Sequence, residues 1–256
     1  MKPDNIQQFW EQRGSLGDSA GSQDVLAKKI EMKAISQYIN DGMTILETGC
    51  GNGLTAIELA TKFKVTIHAF DYASSMITDA VKRQNECSDR LLGKIIFQKK
   101  DITTELFDDT LYDIAITERM LINLSSWEDQ EKIIRVITAK LKPGGRYLMC
   151  EASTKGLQEI NAMRIGLGLS EINPPWHNLY IDDAKVEQLV IPGVILKQVD
   201  HFSATYYFLS RVVNAWLAKN DGIPPDYNAP INQLAAQLPP MGTCAQNKIW
   251  VWEKQQ

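Results

Sequence analysis

The chain has 256 residues, 44% of them hydrophobic and 23% charged, with a formal net charge of −4. That is enough apolar material for one large α/β domain with a substantial insertion, and the mild acidity without any Lys/Arg block argues against a phosphate-tracking nucleic-acid surface. The cysteines Cys50, Cys87, Cys150 and Cys244 match neither a zinc spacing nor a disulfide framework, and no run suits a signal peptide or a bilayer span.

Residues 3–13 carry Ile6, Phe9 and Trp10 at helical spacing, and 14–22 have turn composition. A second amphipathic segment, 25–39, sets Leu26, Ile30, Ala34 and Ile35 on one face before Asp41-Gly42 stops it. Residues 1–42 thus read as an N-terminal helical cap on a core of 43–256. From Met43 the pattern alternates: strands are predicted at 44–47, 65–70, 94–98, 112–117 and 146–151, with helices after the first, second and fourth. The clearest helix spans 127–141, where Ile133, Ile134, Ile137 and Leu141 form an apolar stripe and Pro143-Gly144-Gly145 follows as the stop. Such alternation points to a mostly parallel sheet covered on both faces.

Beyond Glu151 the rhythm breaks. A helix at 157–169 leads into Asn173-Pro174-Pro175-Trp176-His177-Asn178, then come a helix at 182–189, a strand at 195–202, a helix at 206–217 and a last strand at 248–252. The stretches of about 153–181 and 203–242 are too long for ordinary connections and read as substrate lids.

The chemistry concentrates after the first strand, in Glu47-Thr48-Gly49-Cys50-Gly51-Asn52-Gly53. Glycines at these positions let a ligand approach the backbone, and the following helix N-terminus offers free amides. A dinucleotide fingerprint spaces its last glycine one residue further on. Asp71, closing the second strand, has the placement of a ribose-binding acid, and Asp101-Ile102 suits an adenine, with Met76 covering a ring face.

Together these motifs resemble class I S-adenosylmethionine-dependent methyltransferases: Glu47 with its glycines, Asp71, Asp101-Ile102 and Leu141-Lys142-Pro143-Gly144-Gly145 match the family's motifs in order. The resemblance implies a Rossmann-like seven-stranded sheet of order 3-2-1-4-5-7-6 with the last strand antiparallel, helices on both faces, and S-adenosyl-L-methionine at the carboxyl ends of the strands. It implies a cofactor site of Arg13, Glu47, Gly49, Cys50, Gly51, Gly53, Asp71, Tyr72, Met76, Asp101, Ile102, Glu118 and Leu121, Glu118 holding the ammonium group. Loosely, Glu118-Arg119 and Leu121-Ile122-Asn123-Leu124 also resemble methyltransferases of polysaccharide or secondary metabolism.

For the acceptor, Trp10, Arg119, Asn123, Arg164, Asn178, Tyr206 and Arg211 are the candidate contacts; the alternative for Arg119 is a pair with a surface acid, for Asn123 a helix cap, and for Arg164 and Arg211 the commoner role of solvated helical charges. His177 is the candidate acid/base group, or a fastener of its Pro-Pro-Trp loop, and Glu151 the candidate for orienting the acceptor. The expectation is a metal-free cytoplasmic enzyme, monomer or homodimer, methylating a hydroxyl of a sugar or sugar-nucleotide-like metabolite without nucleic acid or membrane. Small-molecule N-methylation, NAD-dependent oxidoreduction and a non-catalytic binding module are the alternatives.

Overall fold

The computed structural model describes residues 3–105 and 108–256. Its centre is a seven-stranded sheet of order β3-β2-β1-β4-β5-β7-β6. The strands are β1 (Thr44–Thr48), β2 (Thr66–Asp71), β3 (Lys94–Lys99), β4 (Tyr112–Glu118), β5 (Leu141–Ala152), β6 (Val194–Asp200) and β7 (Asn247–Lys254). The first five run parallel, and β7 is antiparallel to both β5 and β6. The fold class and strand order expected from the sequence are those found.

Alternation along the strands sorts their side chains between two cores. Ile45, Ile67, Ile114, Ile116, Leu148 and Cys150 pack on one face against α2 (Val25–Ser36) and α3 (Leu54–Lys62). Leu46, Ala115, Tyr147, Met149, Trp250 and Trp252 pack on the other against α5 (Trp127–Ala139). α1 (Pro3–Arg13) lies on α4 (Ser74–Glu86), where Glu11 accepts from the Ser74 and Ser75 amides at 2.9 and 3.0 Å. Those amides are orphans of the α4 N-terminus, so a distant helix caps it.

Several boundaries differ from expectation. Residues 14–19, of turn composition, form a short 3₁₀ turn against α4. β5 begins at Leu141, because Tyr112 pairs with it before a bulge shifts the register at Ile114. In the first insertion, α6 (Thr154–Gly166) starts earlier than predicted, since Ser153 caps it by accepting from Gly156 N. After α7 (Asp183–Gln188), the second insertion holds α8 (Ala204–Tyr207), which runs through a π-helical stretch, Phe208–Val213, into α9 (Asn214–Asn220), and an unforeseen α10 (Pro230–Ala235). Among the described residues no helix is long and apolar enough to cross a membrane.

Candidate functional site

β1 ends in a turn that only glycines build without strain. Gly49 has φ 71° and Gly51 φ 52°. A Cβ on Gly49 would come within 2.3 Å of the Met120 side chain, whereas one on Gly51 would meet nothing within 4 Å. The first glycine lets the loop after β4 pack close; the second leaves open room above the backbone. Asp71 ties the turn down, accepting from Gly51 N at 2.8 Å and Ala73 N at 2.9 Å.

Above this turn lies a cavity of about 550 Å³, the size of a small-ligand site. Its walls include Glu47 from β1, Gly49, Cys50 and Gly51 from the turn after it, Asp71 at the end of β2 with Tyr72 and Met76 beyond, and Asp101 and Ile102 after β3. Glu118 at the end of β4, Arg119 and Asn123 after it, and Trp10 from α1 complete the set of expected residues that the cavity brings together.

The remaining expected residues lie off its wall. Gly53 sits at the N-cap of α3, against Phe97. Leu121 is fully buried in the core. Arg13 donates to the Ala20 carbonyl at 2.5 Å and lies over the Phe9 ring. Arg164 donates to the Ser170 and Arg211 carbonyls. Tyr206 and Arg211 both bind Asp24, the N-cap of α2, at 2.6 Å. They pin the second insertion to the cap instead of facing a ligand.

Glu151 is a correction to the orienting role. It is fully buried and accepts from the amides of Met120, Leu121 and Ile122 at 3.2, 3.0 and 3.5 Å, so it holds the loop after β4 from behind. Burial raises its pKa to about 7 despite those bonds. His177 packs among Phe9, Trp10 and Trp176, 4.2 Å from the Phe9 ring centre, and only Trp10 of this cluster reaches the cavity. Burial and then Arg13 lower the His177 pKa.

Asn123 joins three elements. Its Oδ1 accepts from Trp10 Nε1 and from Asn178 Nδ2, each at 3.2 Å, while its Nδ2 donates to the Arg119 carbonyl at 2.8 Å. Arg119 itself has φ 54°, a left-handed backbone held in place here by its carbonyl's bond to Asn123 and by its side-chain pair with Glu31 at 3.2 Å.

The electrostatics centre on buried acids. Glu47 is raised to about 8 by burial and then by Glu118; Asp71 is raised to about 6, chiefly by burial. Glu31 is raised to about 7 by burial, whereas Glu118 is brought down to about 2, its burial outweighed by Lys28, Glu31 and Arg119. Lys28 also lines the cavity and was missed in the sequence. Its signal was there: Asp24, Lys28 and Glu31 fall on one face of α2.

A family model described as a methyltransferase domain matches residues 39–174, over half of the chain. The chain belongs to the methyltransferase-domain family. Phosphoethanolamine N-methyltransferase 2 of Caenorhabditis elegans is 30% identical over 120 residues, covering 46% of this chain and 26% of that protein. Malonyl-[acyl-carrier protein] O-methyltransferase of Bacillus anthracis is 31% identical over 123 residues, covering 48% and 42%. The chain therefore spans well under two thirds of either relative. In fold it is similar to the N-methyltransferase NodS of Bradyrhizobium japonicum WM9, solved with S-adenosyl-L-homocysteine, at a TM-score of 0.56 and 14% identity over 98% of this chain and 99% of that one. The family's cofactor is S-adenosylmethionine, and the groups on this cavity suit it: an acid beside an open glycine, a ribose-type acid, and an unpartnered buried oxygen, Glu47 Oε2.

Proposed function

We propose that this chain transfers a methyl group from S-adenosyl-L-methionine to a small polar metabolite, the leading acceptor being a hydroxyl of a sugar or sugar-nucleotide-like molecule. The observation that carries the reading is a single cavity onto which the glycine turn, Asp71, Asp101-Ile102 and the loop after β4 all open. The cofactor supplies an electrophilic methyl on a sulfonium; the chain's task is to hold donor and acceptor in line and to keep water out.

Asp71, fixed by two backbone amides, would take the ribose hydroxyls, and Asp101 with Ile102 the adenine. Gln7, Trp10, Asn123 and Ser125 give the acceptor side a mixed polar and aromatic wall suited to hydroxyl-rich molecules. Trp10 is held by Asn123, so α1 and the loop of Asn178 close together over that side. His177 serves in this reading as the fastener of its loop onto α1, because its ring is occupied by aromatic neighbours.

A second acceptor class, a small amine, is favoured by one feature: the wall carries the carboxylates of Glu47, Asp71, Asp101, Glu118 and Asp129 against the cations Lys28, Lys100 and Arg119. Incubation with methyl-labelled S-adenosylmethionine and a panel of sugars, sugar nucleotides and primary amines separates them. Labelled methyl ethers support the hydroxyl reading, and exclusively N-methylated products overturn it in favour of the amine. Absence of transfer together with absence of cofactor binding would remove both.

A further inference from the structure

At the carboxyl edge of the sheet, the end of the first insertion meets the start of β7. Tyr180 stands there on an extended stretch tied down along its backbone: Leu179 N donates to the Ile122 carbonyl at 2.7 Å and Ile181 N to that of Ala152 at 2.9 Å, while the Gln130 side chain donates to the Leu179 carbonyl at 2.9 Å. Gln246, the residue before β7, is fixed as well, its carbonyl accepting from Ser153 N at 2.8 Å. Its Nε2 donates to the Tyr180 hydroxyl across a long 3.3 Å, whereas its Oε1 is shielded from water and has no partner. Gln246 is 8% exposed, so an unmatched carbonyl there costs free energy in the free chain. The Tyr180 phenol accepts that one bond, and its own proton has no acceptor among the described residues. Arg211 and Arg119 both act electrostatically on this phenol, and Arg119 lines the cavity, so the pair stands next to the cavity although not on its wall. Both arginines are already taken, Arg119 by Glu31 at 3.2 Å and Arg211 by Asp24 at 2.6 Å.

We propose that Tyr180 and Gln246 form the far end of the acceptor site and select a neutral hydroxyl, which donates to Gln246 Oε1 and accepts from the Tyr180 O–H. The inference rests on the hydroxyl reading above and adds to it the two residues that recognise a second hydroxyl of the same acceptor, away from the one methylated. A hydroxyl both donates and accepts, as this pair requires. An ammonium has only donors, so it leaves the Tyr180 proton unmatched and meets the charges of Arg119 and Arg211. A fully ionised phosphate only accepts, so it leaves Gln246 Oε1 unmatched, and it could draw on either arginine only by stripping the buried Glu31 or Asp24 of its partner. The acceptor that fits is therefore a polyol whose recognised end carries no charge.

The test is steady-state kinetics of the full chain with methyl-labelled S-adenosylmethionine, the sugar of the panel above that the wild type labels, and the set of its monodeoxy analogues. Tyr180→Phe is expected to raise the KM for that sugar about five- to tenfold while kcat and the dissociation constant for S-adenosylhomocysteine each stay within about twofold, and Gln246→Met is expected to do the same. One deoxy analogue, lacking the recognised hydroxyl, is expected to show a similarly raised KM with the wild type and no further rise with Tyr180→Phe. Unchanged sugar KM in both variants, or a Tyr180→Phe effect that persists with every deoxy analogue, overturns the assignment and leaves the pair a packing role or a buried water. Loss of S-adenosylhomocysteine affinity and of kcat together with the KM change marks a structural role and overturns it equally. In each of these cases the labelled sugar ether leaves the hydroxyl reading standing, whereas a panel in which no sugar is labelled overturns both.

Discussion

Glu118 and Glu151 stand at the ends of neighbouring strands, yet only the first reaches the cavity. Glu118 is paired in register with Cys150, so Glu151 falls one residue out of phase and points to the opposite face, where it gathers three backbone amides. A sequence shows that an acid ends a strand; it does not show which face the acid takes until register is known, and this is why Glu151 read as a site residue. Replacing it with alanine orphans those amides inside the core, and the expected loss is about 1–3 kcal/mol of stability, measured by denaturant unfolding. If Glu151→Ala instead kept wild-type stability and abolished turnover, the acid would belong to the reaction. Gly49→Ala is expected to cost about 1–3 kcal/mol through its left-handed backbone, and to weaken cofactor binding as Met120 is pushed aside. Unaltered melting and binding in that variant would show that the turn does not depend on this close approach.

At the scale of elements, the glycine turn, β2 and β3 were legible because their signals are local: alternating glycines, and acids that close apolar runs. The two insertions were harder to read. Arg164, Tyr206 and Arg211 looked available for a ligand, but their partners are Asp24 and main-chain carbonyls far away in the chain. α2 shows the same limit, since its apolar residues suggested one buried face while Asp24, Lys28 and Glu31 carry a polar seam beside it. The latch at Asn123 is testable as a unit. Trp10→Phe removes the indole donor, Asn123→Ala its acceptor, and a double-mutant cycle on stability is expected to give a coupling of about 0.5–1.5 kcal/mol. Strict additivity would mean that the two side chains meet without holding α1 to the loop.

For the whole molecule, strand order and cofactor class followed from the motifs, because a parallel sheet with one topology brings their carboxyl ends together. Its acid content also sets how the free protein responds to pH. Glu47 at about 8, Glu31 and Glu151 at about 7 and Asp71 at about 6 are all raised, mainly by burial. Between roughly pH 4.5 and 8 the folded chain therefore binds more protons than the unfolded one, and stability falls as pH rises through that window. Glu118, lowered to about 2, acts oppositely: its contribution is present above the unfolded value and is lost as pH falls toward about 2. The melting temperature of the ligand-free chain is expected to be higher near about pH 5 than near about pH 8.5; a rise toward alkaline pH would contradict these buried, protonated acids. The most direct measurement of the central claim is calorimetric titration of the chain with S-adenosylhomocysteine and, in parallel, with NADH. The cavity described here predicts saturable one-to-one binding of S-adenosylhomocysteine with a dissociation constant on the order of micromolar and no saturable heat with NADH. Tight binding of NADH with none of S-adenosylhomocysteine would contradict it.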